Sequence, residues 1–275
     1  MLKELTLFGE IDKVKIAIDR IIEFEPSKTD KDKVYIVPFS GGKDSLVVHK
    51  LMELAGVRFK AVHAPTIEFK ETYQYIRKHF HNVEQQKPKR FTNRVKNPKF
   101  RGKQKTMFNL IANRKIPPTR VNPYCCSDLK ENVGQAGDTV VLGVRREESA
   151  GRSTRGIVTF WNGKTCINPI VDWSTEDVWE FIRLYKLEYN PLYDMGFDRV
   201  GCPGCPKSKN QKKELEMFPE WRNWYLTAFK HMLKNLDTDK CQWKTPEDVM
   251  SWWLGECEKE RAMEGQLEIG CEFIN

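Results

Sequence analysis

The apolar run Val34-Tyr35-Ile36-Val37-Pro38-Phe39 leads directly into Ser40-Gly41-Gly42-Lys43-Asp44-Ser45. Leu46, Val47, Lys50, Leu51 and Leu54 then follow at helical spacing, and this stretch constrains the fold more than any other. A short, unbroken apolar run reads as a strand buried on both faces, as in a parallel sheet. Gly56 is placed to close the helix at its C-terminus. A second strand at Phe59 to His63 and a second helix at Glu71 to Phe80 repeat the rhythm. Upstream, Ile11, Val14, Ile18, Ile21 and Phe24 mark a helix over 11–25 that Pro26 stops. Downstream, Thr139-Val140-Val141-Leu142 predicts a third core strand ending at Gly143, and Ile167 to Val171 a fourth. Ser174, with Asp177 three residues on, caps a helix whose apolar face is Val178, Phe181, Ile182 and Tyr185. Alternating strands and helices define an α/β fold with a Rossmann-like parallel sheet.

Beyond Cys205 the pattern changes. Trp221, Trp224, Tyr225, Phe229 and Leu233, then Val249, Trp252 and Trp253, outline two amphipathic helices, a C-terminal helical appendage whose tryptophans read as core. The expected division is a nucleotide-binding domain over 1–206, carrying a basic insertion at 85–120, and a helical region over 207–275. No run of about 18 apolar residues is present, so no membrane span is expected. The first residues, Met1-Leu2-Lys3-Glu4-Leu5, lack the basic-then-apolar layout of a secretory signal, and a cytoplasmic location is expected. Eight cysteines in such a chain read as ligands, reactive thiols or buried small side chains rather than disulfides.

The formal net charge is +8, and residues 85–120 alone hold 12 Lys/Arg and no Asp or Glu, interleaved with Phe91, Phe100 and Phe108. Two readings stand: a solvated basic loop, or a surface for polyanions such as nucleic acid or a nucleotide's own phosphates.

The loop from Ser40 to Ser45 lies between strand and helix, where backbone N–H groups and the helix dipole favour an anion. Gly41 and Gly42 let the backbone approach phosphate oxygens, Lys43 adds a movable charge, and Ser40 and Ser45 offer hydroxyl donors. Asp44 either fixes the loop or helps hold Mg²⁺. The spacing is not the Walker A pattern. Gly143, after a core strand, lies at the carboxyl edge of the sheet, where open α/β folds bind ligands. Behind it Arg145, Arg146, Arg152 and Arg155 can present fork-shaped donors to phosphate or sulfate, with Glu148 and Ser149 placed to orient them.

Ser-Gly-Gly-Lys-Asp-Ser after an apolar strand resembles the pyrophosphatase loop of the adenine-nucleotide alpha-hydrolase (PP-loop) superfamily. Within it, the resemblance is to the phosphoadenosine phosphosulfate (PAPS) reductase family. Three further stretches agree, in family order over about residues 10–210: Gly143-Val144-Arg145-Arg146-Glu147-Glu148-Ser149 with Arg152, Asn168-Pro169-Ile170-Val171-Asp172-Trp173 with Asp177-Val178-Trp179, and Arg199-Val200-Gly201-Cys202-Pro203-Gly204-Cys205-Pro206. The resemblance implies an adenine nucleotide, ATP or adenylyl sulfate, on the loop.

Cys125-Cys126 and the pair Cys202 and Cys205 suit a four-thiolate site for zinc or an iron–sulfur cluster. Adjacent residues in an extended segment point oppositely, so Cys125 and Cys126 can share one centre only on an unusual local backbone. Zinc sites use spaced pairs, which favours iron. Adenosine phosphosulfate reductases in the family carry a [4Fe–4S] cluster on this arrangement, and DNA phosphorothioation enzymes also carry one. Free thiols or a redox disulfide remain as alternatives, and Cys166, Cys241 and Cys257 read as structural thiols.

The resemblance offers two chemistries. Sulfonucleotide reductases carry a degenerate phosphate loop and a mobile Glu-Cys-Gly-hydrophobic-His tail. This chain keeps the intact loop of enzymes that split ATP between its α and β phosphates, and ends Gly270-Cys271-Glu272-Phe273-Ile274-Asn275. The main expectation is an ATP-dependent adenylating enzyme in sulfur chemistry, with Lys43, Asp44, Arg145 and Arg152 at its centre. The adenylating reading calls for a sulfur donor protein as partner, whereas the alternative is reduction of adenylyl sulfate, or its 3′-phosphorylated form, to sulfite, using Cys271 and a thioredoxin-like reductant. A third reading is a non-catalytic nucleic-acid-binding module with a structural metal.

Overall fold

In the computed structural model, residues 2–6, 9–236 and 243–256 are described. Cys241, Cys257 and Cys271 lie outside them. The chain forms two compact units, Met1–Lys87 with Asn132–Gly201 and Pro88–Glu131 with Cys202–Asn275.

The first unit opens with an antiparallel pair, β1 (Lys3–Thr6) and β2 (Gly9–Asp12). The Asp12 carboxylate accepts the N–H groups of Val14 and Lys15 and so starts α1 (Lys13–Glu23). There follow β3 (Tyr35–Pro38), α2 (Lys43–Leu54), β4 (Phe59–His63), α3 (Lys70–His79) and β5 (Glu84–Gln85). After α4 (Met107–Arg114), which belongs to the second unit, come β6 (Thr139–Val141), β7 (Val158–Trp161), β8 (Lys164–Ile167) and α5 (Thr175–Leu184). The main sheet runs β5-β4-β3-β6-β8-β7, parallel throughout except where edge strand β7 pairs antiparallel with β8. Helix α2 packs against α1 and α5 over a core that includes Ile21, Tyr35, Val37, Leu51, Trp173 and Phe181. A smaller cluster, Phe39, Ala61, Tyr75, Ile76 and Val83, seats α3.

Two expectations are corrected. The strand over Ile167 to Val171 lies earlier, at Lys164–Ile167, and residues 168–171 turn. Pro169 has no N–H for a ladder, and the fully buried Asn168 spends its amide on the Gly156 carbonyl at 2.9 Å. Arg20 then clasps the turn, bidentate on Asp172 at 2.7 and 2.8 Å and 2.8 Å from the Pro169 carbonyl. The second correction is β7, absent from the sequence expectation. It joins β8 through Asn162 and Gly163, both at positive φ (49° and 72°), the turn that two-residue hairpins favour.

The cap of α5 is as expected, with Ser174 and Asp177 exchanging hydrogen bonds at 2.8 and 3.0 Å. Burial pushes the Asp177 carboxyl up, but hydrogen bonds from Lys13 (2.9 Å) and the Ser174 N–H outweigh it and hold its pKa at about 2. A carboxylate held below its ordinary 3.8 contributes stability above that value and loses it as pH falls through about 2. Asp177→Asn should therefore cost about 2 kcal/mol at neutral pH. Its melting temperature and that of the wild type should converge between pH 4 and pH 2; a gap constant over that window refutes the assignment.

The second unit is built from α4 and three later helices: α6 (Gln211–Met217), α7 (Pro219–Leu233) and α8 (Pro246–Trp253). Helix α7 packs against each of the others. Phe108 meets Trp224 at 5.9 Å between ring centroids, Tyr225 meets Trp253 at 4.5 Å, and the Trp253 indole donates to the Pro118 carbonyl. These contacts tie α4 and Pro118, the later part of the segment expected as a basic insertion of the first domain, to the C-terminal helices. Among the described residues no helix is long and apolar enough to cross a membrane.

Candidate functional site

In the first unit, strands β3, β4 and β6 end at one edge of the sheet, and the phosphate loop fills the step from β3 to α2. The loop is tied internally. The Ser45 hydroxyl donates to the Gly42 carbonyl at 2.8 Å, accepts the Ser40 N–H at 3.3 Å, and lies 3.2 Å from the Ser40 hydroxyl. The Lys43 N–H donates to the Tyr193 hydroxyl at 2.8 Å. Among the described residues the N–H groups of Gly41, Asp44 and Ser45 make no hydrogen bond, so the first turn of α2 keeps donors for an anion. The Lys43 ammonium donates to the Asp198 carbonyl at 3.2 Å, lies 3.6 Å from the Asp44 carboxylate, and sits 5.6 Å from the centroid of the Tyr193 ring.

The strand-end motif after β6 comes against this helix. A Cβ on Gly143 would lie 2.9 Å from the Asp44 carbonyl oxygen, so only glycine lets the chain pass there. Arg145 is buried, with 2% of its surface exposed. Its Nε donates to Asp44 at 2.6 Å and its Nη1 to Thr175 at 3.2 Å, and to Glu147 and the Trp173 carbonyl at 3.4 Å. Arg145 is thus a strut between α2 and the start of α5, and Asp44 is engaged in fixing the loop. Glu148 accepts the Arg145 N–H at 3.0 Å and pairs with Arg152. Arg146, Arg152 and Ser149 are exposed; Arg146 donates to the Arg155 carbonyl at 2.9 Å, and the Arg155 Nε is buried with no partner among the described residues.

Several residues with no motif of their own support this site. Buried Asn190 donates to Thr72 at 3.0 Å and to the Gly41 carbonyl at 3.4 Å, which ties α3 and the loop to the 190–193 turn. Tyr193 is pushed above the ordinary phenol range by burial, so its hydroxyl stays protonated while it holds Lys43. At the end of β4, buried His63 faces the Phe39 carbonyl at 2.8 Å and Glu68 at 3.1 Å. Asn190-Pro191 is a turn signal in the sequence; its connection to a loop about 150 residues away is not.

The second unit gathers the cysteines. Cys125 is buried, Cys126 half-buried, and Cys126–Lys130 form one turn of π-helix. This is the unusual backbone the adjacent pair requires: with Cys125 also helical, the two side chains diverge by far less than in a strand. The hydrogen bond between them raises the Cys125 thiol, aided by burial, and lowers the Cys126 thiol. Cys202 and Cys205 flank a turn in which the Cys205 N–H donates to the Cys202 carbonyl at 3.2 Å. Gly204 stands at φ +62°, and a Cβ on it would lie 2.8 Å from the Leu215 side chain. Glu214 accepts the Gly204 N–H at 3.1 Å, and the Tyr225 hydroxyl donates to the Pro203 carbonyl at 3.0 Å. Fully buried, Tyr225 is pushed well above the phenol range by burial first and then by Cys202, Cys125 and Cys205, and those two later thiols also act on Cys125. Cys125, Cys126 and Cys166 are free thiols, and Cys166 lies apart, buried on β8. The donor set suits a soft metal centre; among the described residues, however, no three His, Cys, Asp or Glu side chains converge closely enough to hold an ion.

Comparison with known proteins is consistent with these motifs. The phosphoadenosine phosphosulfate reductase domain family matches residues 34–208. An uncharacterized protein of Methanocaldococcus jannaschii is 29% identical over 261 residues, covering 83% of this chain and 60% of the relative. The chain therefore spans about three fifths of that relative's length. The adenosine 5′-phosphosulfate reductase of Bacillus cereus is 28% identical over 211 residues, covering 72% of this chain and 82% of that protein. Among solved structures, the PAPS reductase from Candida auris in its phosphate complex aligns at a TM-score of 0.45 and 17% identity, over 72% of this chain and 96% of its own. The chain belongs to the phosphoadenosine phosphosulfate reductase domain family.

Proposed function

We propose that the chain is an ATP-dependent adenylating enzyme acting in sulfur chemistry. The observation that carries this reading is the unbroken Ser40–Ser45 loop, whose open N–H groups at the start of α2 stand beside a buried lysine. ATP binds there with Mg²⁺, an acceptor oxygen attacks the α-phosphorus, and the α–β phosphoanhydride breaks to release pyrophosphate. Lys43 and the first turn of α2 stabilise the charge growing on the departing group, with exposed Arg146 and Arg152 as further anion donors. Asp44 and Arg145 hold the loop in place, and Tyr193 and Asn190 brace it. A sulfur nucleophile then displaces AMP from the activated acceptor.

Cys125, Cys126, Cys202 and Cys205 do not converge on a single ion, but a [4Fe–4S] cluster takes one thiolate on each of its four irons; these four would hold such a cluster, which when bound supplies a site for binding or reducing sulfur. After anaerobic reconstitution, a serine at any one of these positions should lower iron and sulfide per chain and bleach the charge-transfer absorbance, whereas Cys166→Ser keeps both. Equal iron in all five variants, or a colourless wild type that holds only zinc, rejects the assignment.

A second reading, reduction of adenylyl sulfate to sulfite with a thioredoxin-like reductant, is favoured by the relative named adenosine 5′-phosphosulfate reductase. One pair of assays separates the two. Pyrophosphate release from ATP with candidate acceptors, and no sulfite from sulfonucleotides with reduced thioredoxin, supports adenylation. Sulfite formation that disappears in Cys271→Ser overturns it in favour of reduction.

A further inference from the structure

In the second unit the chain makes a closed excursion over 88–105. Arg90 and Gln104 bridge antiparallel, the Phe91 N–H donates to the Lys103 carbonyl at 2.9 Å, the Gly102 N–H returns to the Phe91 carbonyl at 3.1 Å, and the Lys105 N–H donates to the Lys89 carbonyl at 2.7 Å. Asn97 accepts the Lys99 N–H at 3.1 Å and shapes the tip. Phe91 and Phe100 are 6% and 2% exposed with ring centroids 5.7 Å apart, so the arm carries an apolar filling of its own. It is a shaped element rather than a slack loop.

Its outer surface is basic. Lys89, Arg90, Arg94, Lys96, Lys99 and Arg101 are all exposed, as is Lys103, whose ammonium lies 5.5 Å from the Phe100 ring centroid. The segment contains no acidic residue to neutralise them. Among the described residues its one ion pair joins Lys105 to Asp128 at 2.6 Å, which leaves the outer cations without a carboxylate. Holding that many like charges on a fixed frame costs self-repulsion, which an anionic partner relieves.

The chemistry of the arm selects among polyanions. A basic element that anchors stably on a membrane adds inserted apolar side chains or a lipid to its charge, and a protein interface needs exposed aromatic or aliphatic anchors. The phenylalanines here are turned inward. With no exposed aromatic, the arm also lacks a platform for stacking unpaired bases. What it offers is a row of cations with Thr92 and Asn93 exposed between them, the equipment for phosphate and sugar oxygens.

We infer that the 88–105 arm is a nucleic-acid-binding surface that reads the phosphate backbone without regard to base sequence. Binding through it does not depend on the adenylation reading, and the test measures the two separately. The full chain is titrated, without ATP, against a short labelled duplex DNA and against an RNA hairpin, each of mixed sequence, over a range of salt. With about six cations engaged, affinity should fall about 10³-fold between 50 and 200 mM salt, with a log–log slope near −5 on duplex DNA. The triple variant Lys99→Gln, Arg101→Gln, Lys103→Gln should lower the steepness by about three. A matched control, Lys15→Gln, Lys28→Gln, Lys31→Gln, removes three exposed lysines of the first unit and should leave it unchanged. Pyrophosphate release from ATP with a small acceptor should be the same in all three proteins, so its absence bears on the proposed reaction and not on the arm. The two polymers distinguish DNA from RNA as the partner. Salt-independent binding, an unaltered slope in the arm variant, or equal binding to anionic phospholipid vesicles overturns the inference.

Discussion

Replacing Lys43 with methionine is expected to slow pyrophosphate release from ATP by about 10²–10³-fold, the usual loss when one fixed donor to a developing anion is removed. Methionine keeps most of the volume, so the packing beneath the loop should survive. The Asp44–Arg145 pair does not depend on the ammonium, and Tyr193 holds the Lys43 backbone rather than its side chain. In the proposed reaction the lost contact is to the departing pyrophosphate, so kcat and kcat/KM should fall together. A drop of only a few-fold, with circular dichroism unchanged, would show that the lysine does not serve the chemistry.

Gly143→Ala adds one methyl group and should cost about 2–3 kcal/mol. The new carbon would lie 2.9 Å from the Asp44 carbonyl oxygen and 3.0 Å from its carbon. Both are backbone atoms of the first turn of α2, so the strain cannot be relieved by turning a side chain. The melting temperature should fall by about 4–10 °C, and nucleotide binding should weaken because the displaced turn is the one that presents the N–H groups. Gly151→Ala is the control, since a Cβ there meets nothing within 4 Å, and it should stay within about 0.5 kcal/mol of the wild type. Coincident melting of the two variants would contradict the close approach.

These two positions show what could be read from the chain. The phosphate loop was legible because its chemistry is local: an apolar strand, small residues, a lysine and a helix start follow one another in order. The same holds for Ser174 with Asp177, where the cap spans three residues. Gly143 was legible as a strand end, but its closeness to Asp44 is tertiary. Arg145 has the look of an outward anion fork in the sequence, and its burial as a strut depends on Thr175 and Trp173, which another part of the chain supplies. Phe91 and Phe100 look like aromatics interleaved in a polyanion surface, yet they fill the arm from within. The β7 hairpin was signalled by Asn162-Gly163, although its flanking strands are short. The need for an unusual backbone at Cys125-Cys126 followed from strand geometry; its form, a π-turn, did not.

The make-up of the second unit has a consequence in time. Its two parts, Pro88–Glu131 and Cys202–Asn275, are separated by the stretch that completes the main sheet. During synthesis Cys125 and Cys126 emerge first, and their partners follow only after β6, β7, β8 and α5 have been made. On the proposed cluster assignment, an iron donor acting on the nascent chain would find half a ligand set on an unfinished unit. The adjacent thiols must therefore stay reduced through the interval, and oxidation in that window is a hazard that the finished, buried Cys125 no longer faces.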